Sequence, residues 1–198
     1  MNVLRFFLPI SIHFCLRVSF QLTKYVSYSL GQVMLHWLSA VVILWTLLSG
    51  FYVAIFEVGV VIRNWVGFVN VSLTVLYVPI FILRLYYSFL HGFSSPGRKR
   101  CIAEYSALLV HKAIYLTLGV VLLTGVLMMD RPINIFNVLL IAQLHTDPAL
   151  IAWSTQVHVQ ACVMLLILVA LHVGAVIKHE WYGHRVLKNM SFQKSIFK

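Results

Sequence analysis

The sequence predicts an all-α fold: a membrane four-helix bundle with both termini cytoplasmic and a short N-terminal amphipathic segment. Three observations carry that expectation. First, 61% of the 198 residues are hydrophobic and only 10% are charged, with a mean hydropathy of +0.92. Soluble domains carry about 25% charged residues, so this chain has too little charge to coat a water-facing globule. Second, four apolar stretches each reach the roughly 20 residues that cross a bilayer at ~1.5 Å per residue. Third, lysine and arginine crowd alternate ends of those stretches, the pattern that sets membrane orientation.

The expected spans run from about Gln32 to Ile55, Trp65 to Leu90, Ala107 to Met129 and Ile151 to Ile177. Lipid offers the backbone no hydrogen bonds, so each span must be helical. Arg5, Arg17 and Lys24 precede the first span. Arg98, Lys99, Arg100 and Lys112 lie between or at the edges of the second and third. Lys178, Arg185, Lys188, Lys194 and Lys198 follow the fourth, whereas the other two loops hold only Arg63 and Arg131. Both termini are therefore expected on the cytoplasmic side, with Glu57, Asp130 and Asp147 outside. Within residues 1–28, Val3 to Leu22 is apolar but broken by Arg5, Pro9 and Arg17, which suits a leader or an amphipathic interfacial segment. The organisation is thus 1–28 leader, 29–190 four-helix membrane domain and 191–198 cytoplasmic tail.

The net charge of +10 does not point to nucleic acid, because the basic residues flank apolar spans instead of forming one patch. Cys15, Cys101 and Cys162 form no C-x-x-C pair, which removes a zinc site, a disulfide framework and covalent c-type haem. Only five acidic residues are present, so paired-carboxylate catalysis is not expected.

Histidine inside a bilayer is costly and usually faces the bundle interior. His36, His111, His158 and His172 all fall within the spans. His158 and His172 stand ~21 Å apart along one helix and return to within ~40° of each other around it. One helix face thereby offers two nitrogen ligands, one near each membrane surface, as two haems stacked through a bilayer would need. The same fourteen-residue step links His36 to Gly50, Asn70 to Arg84 and His111 to Gly125. With alternating helix directions these sort into a cytoplasmic layer of His36, Arg84, His111 and His172 and an outer layer of Gly50, Asn70, Gly125 and His158. Glycine would let a flat macrocycle approach a helix, or would simply allow ordinary helix packing. Two neutral imidazoles give iron a closed six-coordinate centre suited to electron transfer, and His36 and His172 can supply that pair. Arg84 would either neutralise a haem propionate or snorkel to the interface.

The residues, in order, resemble the bacterial cytochrome b561 family. Tyr28-Ser-Leu with Leu35-His36-Trp37-Leu38 is similar to its first helix, and Asn70-Val-Ser-Leu-Thr running to Leu83-Arg84-Leu85 to its second. His111 with Ile114-Tyr115 and Thr124-Gly125-Val-Leu-Met-Met resembles its third helix, and Arg131-Pro132 before Phe136 its outer loop. His158, Leu171-His172-Val and Lys178-His179 resemble its fourth helix and tail. The resemblance implies a multi-pass inner-membrane cytochrome that passes electrons through haem b, with membrane lipid around it and quinone as partner. It places His36 with His172 on one haem and the position of Asn70 with His158 on a second. Family members carry histidine at the position of Asn70. The outer site is therefore expected to hold no haem, to recruit another ligand such as Met128, Met129 or His145, or to hold a five-coordinate haem on His158. The resemblance also sets His111 and His179 near quinone and suggests superoxide as one electron donor. The competing readings are a cytochrome subunit of a larger hydrogenase-type oxidoreductase, with a redox partner subunit, and a degenerate family member lacking one or both haems.

Overall fold

The structure, a computed structural model, describes residues 29–93, 102–183 and 187. The expected leader, the tail and the Arg98-Lys99-Arg100 cluster lie outside these residues. Four helices carry the fold: α1 (Leu30–Ile55), α2 (Val60–Phe93), α3 (Ile102–Leu127) and α4 (Pro148–Trp181). All four are long and apolar enough to cross a membrane, and the chain is all-α in architecture. Between 6% and 22% of each span is buried within the protein. The remaining apolar surface suits a lipid environment, since a soluble monomer rarely exposes large apolar patches.

Helix ends follow local chemistry. Ser29 caps α1: its hydroxyl accepts from the Gln32 amide at 3.3 Å while Gln32 Oε1 accepts from the Ser29 amide at 3.0 Å. This reciprocal capping box satisfies two otherwise orphaned donors and starts the helix two residues before the sequence boundary. Asp147 caps α4, accepting from the Ala149 amide at 2.9 Å, and Pro148 sits in the first helical turn, where its missing N–H costs nothing. Lys178 and His179 occupy the last turn of α4, the end that favours positive charge. α2 begins five residues before the expected Trp65.

The helices pack chiefly as two antiparallel pairs, α1 with α2 and α3 with α4. The start of α1, the end of α2, the start of α3 and the end of α4 therefore share one end of the bundle, the termini end. Between the two ends lies a buried core of Leu47, Tyr77, Phe81, Leu118, Leu122 and Leu165, to which all four helices contribute. Tyr77, Leu118 and Leu165 each stand seven residues from both members of a fourteen-residue step. They fill mid-depth, two turns from each polar layer.

The opposite end carries an element not expected from the sequence: a β-hairpin of β1 (Ile133–Ile135) and β2 (Leu139–Ile141). Ile133 pairs with Ile141 and Ile135 with Leu139. Phe136 and Asn137 turn the chain with φ of 45° and 60°, and the Val138 amide donates to the Ile135 carbonyl at 2.9 Å. Left-handed backbone at both central residues is the turn that matches strand twist. Phe136 tolerates this unusual conformation with its ring edge-on to Phe68, 5.9 Å between centroids. Ile133 and Ile135 are buried against α2. Ser72, itself fully buried, latches the hairpin: it donates to the Asn134 carbonyl at 3.3 Å and accepts from the Phe136 amide at 3.2 Å.

Candidate functional site

At the termini end the structure brings one polar side chain from each helix to a common depth. His36 comes from α1, Arg84 from α2, His111 from α3 and His172 from α4. Arg84 is half-buried and donates from its guanidinium to His36 Nδ1 at 3.3 Å and to the Tyr115 hydroxyl at 3.3 Å. Its guanidinium carbon lies 5.5 Å from the centre of the Tyr115 ring, close enough for cation–π attraction. The rings of His111 and His172 meet edge to face, 4.9 Å between centroids. His36 lies within electrostatic reach of Arg84, His172 and His111.

The ring nitrogens are the chemically telling atoms. His111 Nδ1 donates to the Ala107 carbonyl at 2.8 Å, because a carbonyl can only accept. A neutral His111 therefore keeps a bare lone pair on Nε2. Arginine can only donate, so the contact from Arg84 fixes the lone pair of His36 on Nδ1. Among the described residues His36 Nε2 and both nitrogens of His172 have no hydrogen-bond partner. Most buried polar groups are paired, so half-buried imidazoles left this way mark a place for a ligand. The two sit on α1 and α4, which belong to different helix pairs, so a flat group between the pairs could meet both. Two imidazoles from different helix pairs, with a guanidinium and a phenol beside them, are the donor set that would suit haem b. Among the described residues no three His, Cys, Asp or Glu side chains gather as a metal cage, whereas a macrocycle asks the protein for only two axial donors.

The hairpin-end layer is built differently. Asn70 Oδ1 lies 3.0 Å from the Ser49 hydroxyl, which shares its one hydrogen with the Trp45 carbonyl at 2.7 Å, and its Nδ2 donates to the Thr46 carbonyl at 3.4 Å. A Cβ added at Gly50 would lie 3.8 Å from that Nδ2, so the α1–α2 seam is closed here by ordinary contact. His158 Nδ1 donates to the Val121 carbonyl at 3.1 Å and lies 3.2 Å from the Thr124 hydroxyl. That hydroxyl spends its own hydrogen on the Val120 carbonyl at 2.6 Å. Nε2 of His158 faces Cys162 Sγ at 3.5 Å, an acceptor position for a weak thiol donor. A Cβ at Gly125 would stand 3.2 Å from His158 Cε1. Both glycines thus receive a side chain of their own helix pair, which favours the packing reading of the two.

Other sequence candidates fall into place around these layers. His179 lies seven residues beyond His172 on the same face of α4, ~10 Å further toward the helix end. Lys112 is exposed beside His111. His145 sits in the segment between β2 and α4, with both ring nitrogens buried and no hydrogen-bond partner among the described residues. Its chain position is above the α4 cap, and Asp147 is ~16 Å along the helix from His158. His158 Nε2 points toward Cys162, one turn the other way. Sequence reading missed Thr124 and Cys162 as partners of His158, although Cys162 is one turn along the same face. It also missed the Ser72 latch, for which a lone serine in a span gives no signal.

Four membrane-crossing helices with imidazoles gathered at one depth define a multi-pass helical membrane protein with a site of the cofactor-binding class. The model of the prokaryotic cytochrome b561 family matches residues 27–193, and the chain belongs to that family. It is accordingly a membrane b-type cytochrome of electron transfer. Among curated proteins no match is found.

Proposed function

We propose that this chain is an inner-membrane cytochrome in which His36 and His172 ligate one haem b, and that it exchanges electrons with quinone at the termini end. The observation that carries the reading is that these two histidines share a depth within electrostatic reach of each other, with Nε2 of His36 and both nitrogens of His172 unclaimed among the described residues. Bound there, haem b supplies a one-electron carrier. The protein's own part is orientation and charge. Arg84 is the cation within reach of a propionate. If Arg84 turned to a propionate, His36 Nδ1 would be free to hold the proton, and Nε2 would keep its lone pair for ligation. A donor on Nδ1 is how ligating histidines usually fix their tautomer.

Quinone reduction to quinol takes two electrons and two protons. His111 is exposed, its Nε2 lone pair is bare, and its ring touches His172, so it is placed to accept a proton and pass it on. His179, two turns further toward the helix end, continues that path to the surface. The concentration of Lys and Arg at the termini end supports a cytoplasmic location for that end.

The test is a reduced-minus-oxidised spectrum on purified wild-type, His36→Ala and His172→Ala protein. Both variants lose the same low-spin α-band. Survival of the band in either variant would break the pairing. His111→Ala keeps the band, while quinol-driven reduction slows on the order of a hundredfold, the usual scale for a lost proton-transfer group. An unchanged rate removes His111 from the proton path.

A further inference from the structure

We infer that this chain holds haem at the termini end alone, and that the layer around Asn70 and His158 is a hydrogen-bonded helix seam that takes no second cofactor. The inference rests on the proposed His36–His172 centre and limits it to one per chain.

Three features of the hairpin end carry it. The first is Asn70. Haem iron is held in proteins by imidazole, thiolate, thioether or phenolate donors, and an amide is none of these. The amide moreover has both polar atoms against α1: Oδ1 is 3.0 Å from the Ser49 hydroxyl, whose one hydrogen is shared with the Trp45 carbonyl, and Nδ2 donates to the Thr46 carbonyl. A group that took this position as a ligand would strip the amide of bonds that water would not replace in lipid.

The second is His158. Its Nδ1 hydrogen is shared between the Val121 carbonyl and the Thr124 oxygen, and Cys162 Sγ occupies the direction of the Nε2 lone pair. The Nδ1 bonds by themselves only fix the tautomer; what closes the ligating nitrogen is the Cys162 thiol, one turn along the same helix and 3.5 Å from Nε2. The notch opposite it is taken as well. At 3.2 Å from a Cβ built on Gly125, the imidazole already fills the space that a missing side chain leaves on α3. A macrocycle edge cannot use that space while the ring is there.

The third is the cover. Ser72, two residues along α2 from Asn70, holds β1 by two hydrogen bonds. Ile133 and Ile135 are buried beneath the hairpin. The two helix pairs are thereby tied together at this end by protein alone.

One consequence is directional. With a single centre, electrons enter and leave at the termini end. The apolar layer of Leu47, Tyr77, Leu118, Leu122 and Leu165 and the ~21 Å from His172 to His158 separate that centre from the other surface with no relay between.

Haem counting decides this. The full chain, wild type and His158→Gln, is purified from cells supplied with excess haem precursor, and haem per protein is measured as the pyridine haemochrome. The expected wild-type ratio is about one, with a single low-spin α-band of bis-imidazole type, and His158→Gln leaves ratio and band unchanged. A wild-type ratio near two overturns the inference while leaving the His36–His172 centre standing. A folded His158→Gln protein that loses its haem also overturns it. A wild-type ratio of zero overturns the proposed centre itself, and with it this inference. Should His158→Gln fail to fold, the wild-type ratio and the number of α-bands decide alone.

Discussion

His158 and His172 stand on one face of α4, fourteen residues apart, yet their surroundings differ in kind. His158 is held at Nδ1 by Val121 and Thr124 and faced at Nε2 by Cys162. His172 has a ring contact with His111 and, among the described residues, no hydrogen bond. The same residue type at the same radial position is in one case a finished part of the packing and in the other an open donor. Among the described residues one imidazole has a partner at each nitrogen and its counterpart has one at neither. The distinction lies in the partners at each nitrogen, more than in depth or burial.

That contrast can be attacked from both ends. The largest stability effect is expected at the hairpin end. Ser72→Ala strips both the Asn134 carbonyl and the Phe136 amide of their partner in a buried setting. Leaving such groups unpaired costs about 2–3 kcal/mol, read as a lower melting temperature in detergent. The α-band should keep its position and intensity, and a spectral change would show that the two ends are coupled.

Next is Arg84→Leu at the termini end. Removing a cation beside the redox centre disfavours the added electron, so the midpoint potential falls. A drop on the order of 60 mV is a tenfold change in a one-electron equilibrium. Arg84→Lys should recover part of it, since it restores charge without the planar fork. A potential unmoved by either change would mean that Arg84 serves only Tyr115 and the interface.

The smallest effect comes from the glycines. Gly125→Ala places a methyl 3.2 Å from His158 Cε1, so the ring must give way slightly, for about 1 kcal/mol of overpacking. Gly174→Ala meets nothing within 4 Å and should be neutral or stabilising by about 0.5–1 kcal/mol through reduced backbone freedom. Equal melting temperatures for the two variants would mean the Gly125 notch is not filled as described.

The sequence made the four spans legible because hydropathy and length act over twenty residues at once and no local detail can cancel them. The termini-end group was legible for a related reason. Alternating helix directions fix which end each polar residue reaches, so His36, Arg84, His111 and His172 had to share a depth. What escaped was set by contacts between distant segments. The β-hairpin has only three residues per strand and a Phe-Asn turn in place of the usual Asn-Gly, so nothing local announces it. It is fastened to α2 by Ser72, more than sixty residues away in sequence. The glycine notches were ambiguous on similar grounds. Spacing shows that a Cβ is missing, but not whether a cofactor or a neighbouring side chain takes the room.

The pairing of α1 with α2 and of α3 with α4 also bears on biogenesis. Each pair is contiguous in the polypeptide, so the first can form in the membrane before the second has left the ribosome. Joining the halves would then be the late step. Iron bound by α1 on one half and α4 on the other would act as the rivet that ends assembly, so cells starved of the cofactor should accumulate protein hinged open and exposed to membrane proteases.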